Sequence, residues 1–261
     1  MALNQYLAER KQTLSNSNRP AMVMTHVVCG YPSFEDNWKE LEIMQEFGVD
    51  LVELQFPFSE PSADGPLFVK ANQEAVASGV HVEDCFAFMK KVTDHFSFKV
   101  VMMGYYNTVF KTGHRAFLER LKEAGGEGFI LPDLPVEEAK ELHDLADELD
   151  LSPIVLMTPT NTDARLKELA EHADGFIYTV ARKGVTGSNT DMNQEVAEFI
   201  DRCKQFTDIP LAVGFGVSDS NDVEFIGKHA DIAVIGTAAL KAWEQGKETA
   251  LRAFFQQLLP A

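Results

Sequence analysis

Two carboxylates in the first quarter of the chain could do chemistry together. Glu53 interrupts the apolar run Leu51-Val52-Glu53-Leu54-Gln55, where an ionisable group is costly unless it pairs or faces a cavity. Burial would lift its pKa toward neutrality and fit it to give and take a proton. Pairing with a neighbouring cation is an equal alternative on residue type alone. Asp64 follows eleven positions later in Pro57-Phe58-Ser59-Glu60-Pro61-Ser62-Ala63-Asp64-Gly65-Pro66. The three prolines and one glycine of that turn make a backbone stiff enough to hold a carboxylate in place. Asp-Gly is also a favoured turn dipeptide, so standing alone Asp64 reads as a turn residue.

Three glycine-bearing turns offer the complementary chemistry, capture of an anion. They are Gly184-Val185-Thr186-Gly187, Gly214-Phe215-Gly216-Val217-Ser218 and Gly236-Thr237-Ala238. The last two lead straight into helical patterns, and free backbone amides at helix starts bind phosphate. The first has the composition of a loop that closes over a ligand, with the Gly187 amide available to an anion; an ordinary connecting loop is the plainer alternative. Tyr105-Tyr106-Asn107 either lines a pocket or packs. Asp133, between Pro132 and Leu134-Pro135, is a helix cap before it is a catalyst, and His26 reads as a buried, satisfied histidine.

Other chemistries lack their signatures. Gly214-Phe215-Gly216 is no dinucleotide fingerprint, because Asp219 stands at the third glycine position. There is no GxSxG elbow. Lys99 and Lys183 are poorly placed for a Schiff base. Cys29, Cys85 and Cys203 form no CxxC or zinc pattern and imply a reducing compartment. No histidines stand at i, i+4, so neither a metal nor an organic cofactor is expected.

The elements that must position these residues follow from periodicity. Short β-rich runs at 22–29, 51–55, 99–103, 128–131, 151–156, 175–180, 211–214 and 232–235 alternate with amphipathic stretches near 35–47, 68–79 with 82–96, 113–124, 136–148, 162–173, 191–206, 219–228 and 237–259. Ser33 and Ser218 are the expected caps. The strands are apolar without clear alternation, as in a parallel sheet covered on both faces. Eight βα units favour a single (β/α)8 barrel over residues 1–261, with a doubly wound open sheet as the alternative. Residues 3–14 form an extra helix, either plugging the N-terminal mouth or capping the surface. In such a barrel the strands' C-terminal ends, where these candidates fall, carry the site.

Composition sets the outer limits. The chain has 261 residues, with 23 Lys and Arg against 40 Asp and Glu, a net charge of −17. That excess excludes nucleic acid or an anionic membrane held by bulk attraction. No run fits a signal peptide or a membrane span, so a cytoplasmic protein is expected.

Taken in order, several motifs resemble the tryptophan synthase alpha chain family from about residue 24 to residue 240. They are Gly30-Tyr31-Pro32, Val52-Glu53-Leu54, the 57–66 turn, Met103-Gly104-Tyr105-Tyr106-Asn107, residues 131–139, Gly184-Val185-Thr186-Gly187, residues 213–218 and Ile235-Gly236-Thr237-Ala238. The resemblance implies a TIM barrel that cleaves indole-3-glycerol phosphate to indole and glyceraldehyde 3-phosphate in tryptophan biosynthesis. It also implies a beta-chain partner in an alpha2beta2 heterotetramer. By the same resemblance Glu53 and Asp64 are catalytic, and Tyr105, Tyr178, Thr186 and Phe215 surround the substrate. Gly187, Gly216, Gly236 and Thr237 hold its phosphate. Gln55, Glu60, Val69 and Thr237 stand where the family usually has Gly, Asp, Gln and Ser. A barrel that only binds and activates a beta chain, and another phosphate-binding barrel enzyme, are the rival functions.

Overall fold

The computed structural model describes residues 3–16, 19–180, 194–214 and 216–259. Its strands are β1 (Met22–Val28), β2 (Leu51–Gln55), β3 (Lys99–Met103), β4 (Gly128–Ile130), β5 (Ser152–Met157), β6 (Ile177–Val180), β7 (Leu211–Gly214) and β8 (Ile232–Ile235). They pair in parallel in that order and β8 returns to β1, which closes the barrel and removes the open-sheet alternative. The helices are α1 (Leu3–Ser15), α2 (Phe34–Glu46), α3 (Pro66–Ala77), α4 (Val82–His95), α5 (Tyr106–Thr112), α6 (His114–Glu123), α7 (Lys140–Glu148), α8 (Asp163–Glu171), α9 (Gln194–Lys204), α10 (Ser220–His229) and α11 (Thr237–Leu258).

Two apolar layers hold the barrel. Val23, Val27, Val52, Leu54, Val100 and Val213 point outward into the packing between strands and helices. Met22, Met24, Leu51, Val101, Ile130, Ile154, Phe176, Ala212, Ile232 and Val234 fill the interior. Because strand side chains alternate, residues two or four positions beyond these inward ones must face the barrel's C-terminal mouth. That places His26, Glu53, Gln55, Tyr178 and Gly214 together.

α1 closes the opposite mouth. Leu3, Leu7 and Leu14 join the interior cluster, while the Tyr6 hydroxyl donates to the Asp50 carbonyl at 3.0 Å. Asp50, fully buried just before β2, accepts from Arg10, from Arg19 at 2.6 Å and from the Val23 amide at 2.7 Å. Of the two placements open to the extra helix, the plug is the one adopted.

Three local expectations change. Ser33 caps α2, but α10 is capped by Asp219, which pairs reciprocally with Asp222; Ser218 instead donates to Asp222 through its amide and hydroxyl. α5 lies between the run at 99–103 and the stretch near 113–124, where periodicity predicts no helix. Asp133 caps an N-terminus other than that of its own segment: its carboxylate accepts from the Tyr106 amide at 2.9 Å, the first residue of α5.

Candidate active site

β1 and β2 run in parallel with His26 opposite Glu53 and Val28 opposite Gln55. Glu53 and Gln55 are two residues apart and share the inward face, so both side chains reach the His26 ring. Gln55 Nε2 donates to Asp64 Oδ2 at 2.7 Å, and Gln55 Oε1 lies 2.8 Å from His26 Nε2. The ring stacks on Phe68 of α3 with centroids 4.3 Å apart.

Asp64 is delivered by its turn. The Asp64 amide donates to the Pro61 carbonyl at 3.0 Å, and the Phe58 amide donates to Asn72 Oδ1 on α3 at 3.0 Å. Pro66 then occupies the first turn of α3, where its missing N–H costs nothing. From behind, the Tyr105 hydroxyl donates to Asp64 Oδ2 at 2.9 Å and accepts from the Ala63 amide at 3.1 Å. Tyr105 is only 1% exposed and stacks on Phe58. Tyr105 thus supports Asp64 from within the protein interior.

These groups border a cavity of about 520 Å³, within the usual range for a small-molecule site. His26, Glu53, Asp64, Phe68 and Tyr178 line it together with Gly216, Gly236, Thr237 and Lys241. Gly216 has φ of 123°, a conformation that side-chain-bearing residues rarely adopt. Gly236 precedes the first turn of the long helix α11, whose free amides and dipole favour an anion. Gly214 makes room for an aromatic: a Cβ there would lie 2.4 Å from the Tyr178 hydroxyl oxygen. Thr186, Gly187 and Phe215 lie outside the described residues.

The two carboxylates are in unequal surroundings. Glu53 is 3% exposed, and no Lys or Arg pairs with it among the described residues. Burial first, and the nearby Asp64 charge second, push its pKa up to about 8. Burial also raises Asp64, but the Gln55 and Tyr105 donors pull against that rise. Burial lowers His26 to about 4, so the ring is neutral near pH 7. Both carboxyls are thus raised by burial, but only Asp64 has two donors that favour its ionised form.

Gln55 and Lys241 are site residues that sequence reasoning missed. For Gln55 the available signal was its place two residues after Glu53, at a position where the family usually has Gly. Lys241, one helical turn beyond Thr237, was visible only as one charge among many.

A closed (β/α)8 barrel with a paired-carboxylate cavity beside glycine turns that offer amides to an anion defines a class of small-molecule barrel enzymes. Within that class the comparisons are specific. The family model described as tryptophan synthase alpha chain matches residues 12–258, and the chain belongs to that family. It is 45% identical to the tryptophan synthase alpha chain of Syntrophotalea carbinolica, over 93% of this chain and 96% of the relative. The alpha chain of Desulforapulum autotrophicum is 42% identical over 98% and 99%. Among solved structures, Mycobacterium tuberculosis tryptophan synthase superposes with a TM-score of 0.89 at 32% identity, covering 97% and 96%. The Pyrococcus furiosus tryptophan synthase a2b2 complex gives 0.85 at 30%, covering 93% and 99%.

Proposed function

We propose that this barrel, acting as one catalytic unit, is a lyase that cleaves indole-3-glycerol phosphate into indole and glyceraldehyde 3-phosphate. The observation that carries this reading is the opposed pair: Glu53, raised to about 8, and Asp64, held by two donors, in one cavity. Protonated Glu53 gives its proton to the indole ring carbon that bears the glycerol chain, which makes that carbon tetrahedral and loads positive charge on the ring nitrogen. Asp64, as carboxylate, accepts the ring N–H and stabilises that charge. The Glu53 carboxylate then takes the proton of the adjacent glycerol hydroxyl. As the aldehyde forms, the C–C bond breaks and its electrons restore neutral indole. Glu53 ends protonated, as it began.

Gly216, Gly236 and Thr237 are the proposed phosphate anchors, with Lys241 adding charge, and Gly187 completes them by resemblance. Tyr178 is the proposed wall for the indole ring, together with Thr186 and Phe215. A beta chain in an alpha2beta2 assembly is the proposed partner. The relationship to the Pyrococcus furiosus a2b2 complex, described as mutually activating, supports that partner. So does Phe110 of α5, an apolar side chain 64% exposed shortly after the C-terminal end of β3. A cytoplasmic location goes with three buried, free cysteines, and no helix among the described residues is long and apolar enough to cross a membrane.

The test is direct. Purified protein is mixed with indole-3-glycerol phosphate, with and without a beta chain, and indole is followed. Release is expected in both and greater with the partner; stimulation of the beta chain without indole release would favour the non-catalytic reading.

A further inference from the structure

His26 and Gln55 do nothing in the reaction just described, yet they join its two carboxylates. The joining has a direction, which follows from which atoms can donate. An ionised carboxylate only accepts, so the Gln55 atom facing Asp64 is the amide nitrogen. Its oxygen therefore faces His26 and can only accept, so His26 Nε2 carries the proton across the 2.8 Å contact. A neutral imidazole has one N–H, which leaves a lone pair on Nδ1. That lone pair lies 3.6 Å from Glu53 Oε2, a buried oxygen without a hydrogen-bond partner among the described residues. A lone pair repels a carboxylate and accepts from a carboxylic acid. A small side-chain rotation brings a proton on Oε2 into contact with it.

We propose that His26 and Gln55 are positioning residues, linking Asp64 to Glu53 in one directional hydrogen-bond chain that holds Asp64 ionised and Glu53 protonated before substrate binds. The inference rests on the reading of Glu53 as the acid. No bond within the chain breaks and no proton passes along it. Its effect continues through the cycle: after Glu53 has given its proton to the ring, the Nδ1 lone pair faces a carboxylate, and that repulsion favours taking the glycerol hydroxyl proton. The other groups that bear on Glu53 and His26 are the Asp64 carboxylate from the β2–α3 turn, the Tyr178 phenol from β6 and the apolar Phe68 ring from α3.

Nitrogen-15 NMR of histidine-labelled protein tests the chain without turnover. His26 in the wild-type protein is expected to be the Nε2–H tautomer, with Nδ1 bare, throughout about pH 6 to 8. An Nδ1–H tautomer, an imidazolium or a mixture overturns the proposal. Gln55→Leu, close in volume, is expected to release the tautomer to a mixture and to lower kcat about tenfold with KM little changed. It also moves the acidic limb of the kcat/KM profile to higher pH, because Asp64 loses a donor to its ionised form. An unmoved limb counts against the chain. His26→Phe keeps the stack on Phe68, and the double variant is expected to lose no more than the worse single variant, since both cut one chain; independent, multiplying losses overturn it. If the variants fail to fold, the wild-type tautomer still decides. A protein with the expected tautomer that releases no indole defeats the reaction and leaves the chain standing.

Discussion

Two buried acids, one just before β2 and one at its middle, have opposite fates. Asp50, the first of them, meets Arg10, Arg19 and the Val23 amide under the α1 plug. Glu53, three residues on, has no guanidinium or ammonium partner among the described residues and leaves one oxygen bare. Both are almost wholly enclosed, so burial alone does not mark function. The difference lies in satisfaction: the N-terminal mouth pairs its acid with two guanidiniums, whereas the C-terminal mouth leaves its acid without a cation, the setting that the proposed proton transfer needs.

Substitution at each end should separate these roles. The largest effect is expected from Glu53→Gln, which should lower indole formation by about 10³-fold or more while substrate binding persists; comparable turnover would end the distinction. Asp50→Asn should do the reverse, costing about 3 kcal/mol in denaturant unfolding by leaving two guanidiniums without their carboxylate, with kcat held. Gly214→Ala should raise KM about tenfold by pressing on the Tyr178 ring, with unfolding little affected; a KM at the wild-type value would remove Tyr178 from the substrate.

The pH dependence of stability sharpens the same contrast. Glu53 is raised in the fold from an ordinary value of 4.5 to about 8, so the native state holds an extra proton between those values and stability falls as pH rises through that window. Full stability from this group is present below about pH 4.5. The Tm of Glu53→Gln minus that of the wild type should therefore grow from pH 5 to pH 9; a flat difference would mean that Glu53 is satisfied like Asp50. The smallest effect concerns the charge of −17. Moderate salt should tighten association of the anionic substrate by less than about twofold, by screening the chain's overall repulsion; strongly weakened binding would point to capture by bulk charge.

Strand positions were legible because a covered parallel sheet writes short apolar runs, and all eight runs coincide with observed strands within two residues at each end. α5 was not. Its seven residues begin on aromatic Tyr106 and include Thr108, Val109 and Thr112, and its first amide is satisfied by Asp133 from a later loop. No local pattern encodes such a cap. Glu53 and Asp64 were legible as unusual types in unusual settings. Gln55 was visible only as a departure from a family habit, because its contacts need His26 and Glu53 in register across β1 and β2, which only the pairing of the two strands provides. Tyr105 was legible as a residue at a strand end, but its hydrogen bond to Asp64 was not, because it joins side chains 41 positions apart.

The plug formed by Leu3 and Leu7 gives the barrel a floor. A vessel with a floor fills and empties over its rim, so whatever occupies the cavity has to pass the C-terminal mouth in both directions. A helix at the far end of the barrel thus fixes the side from which the cavity is reached.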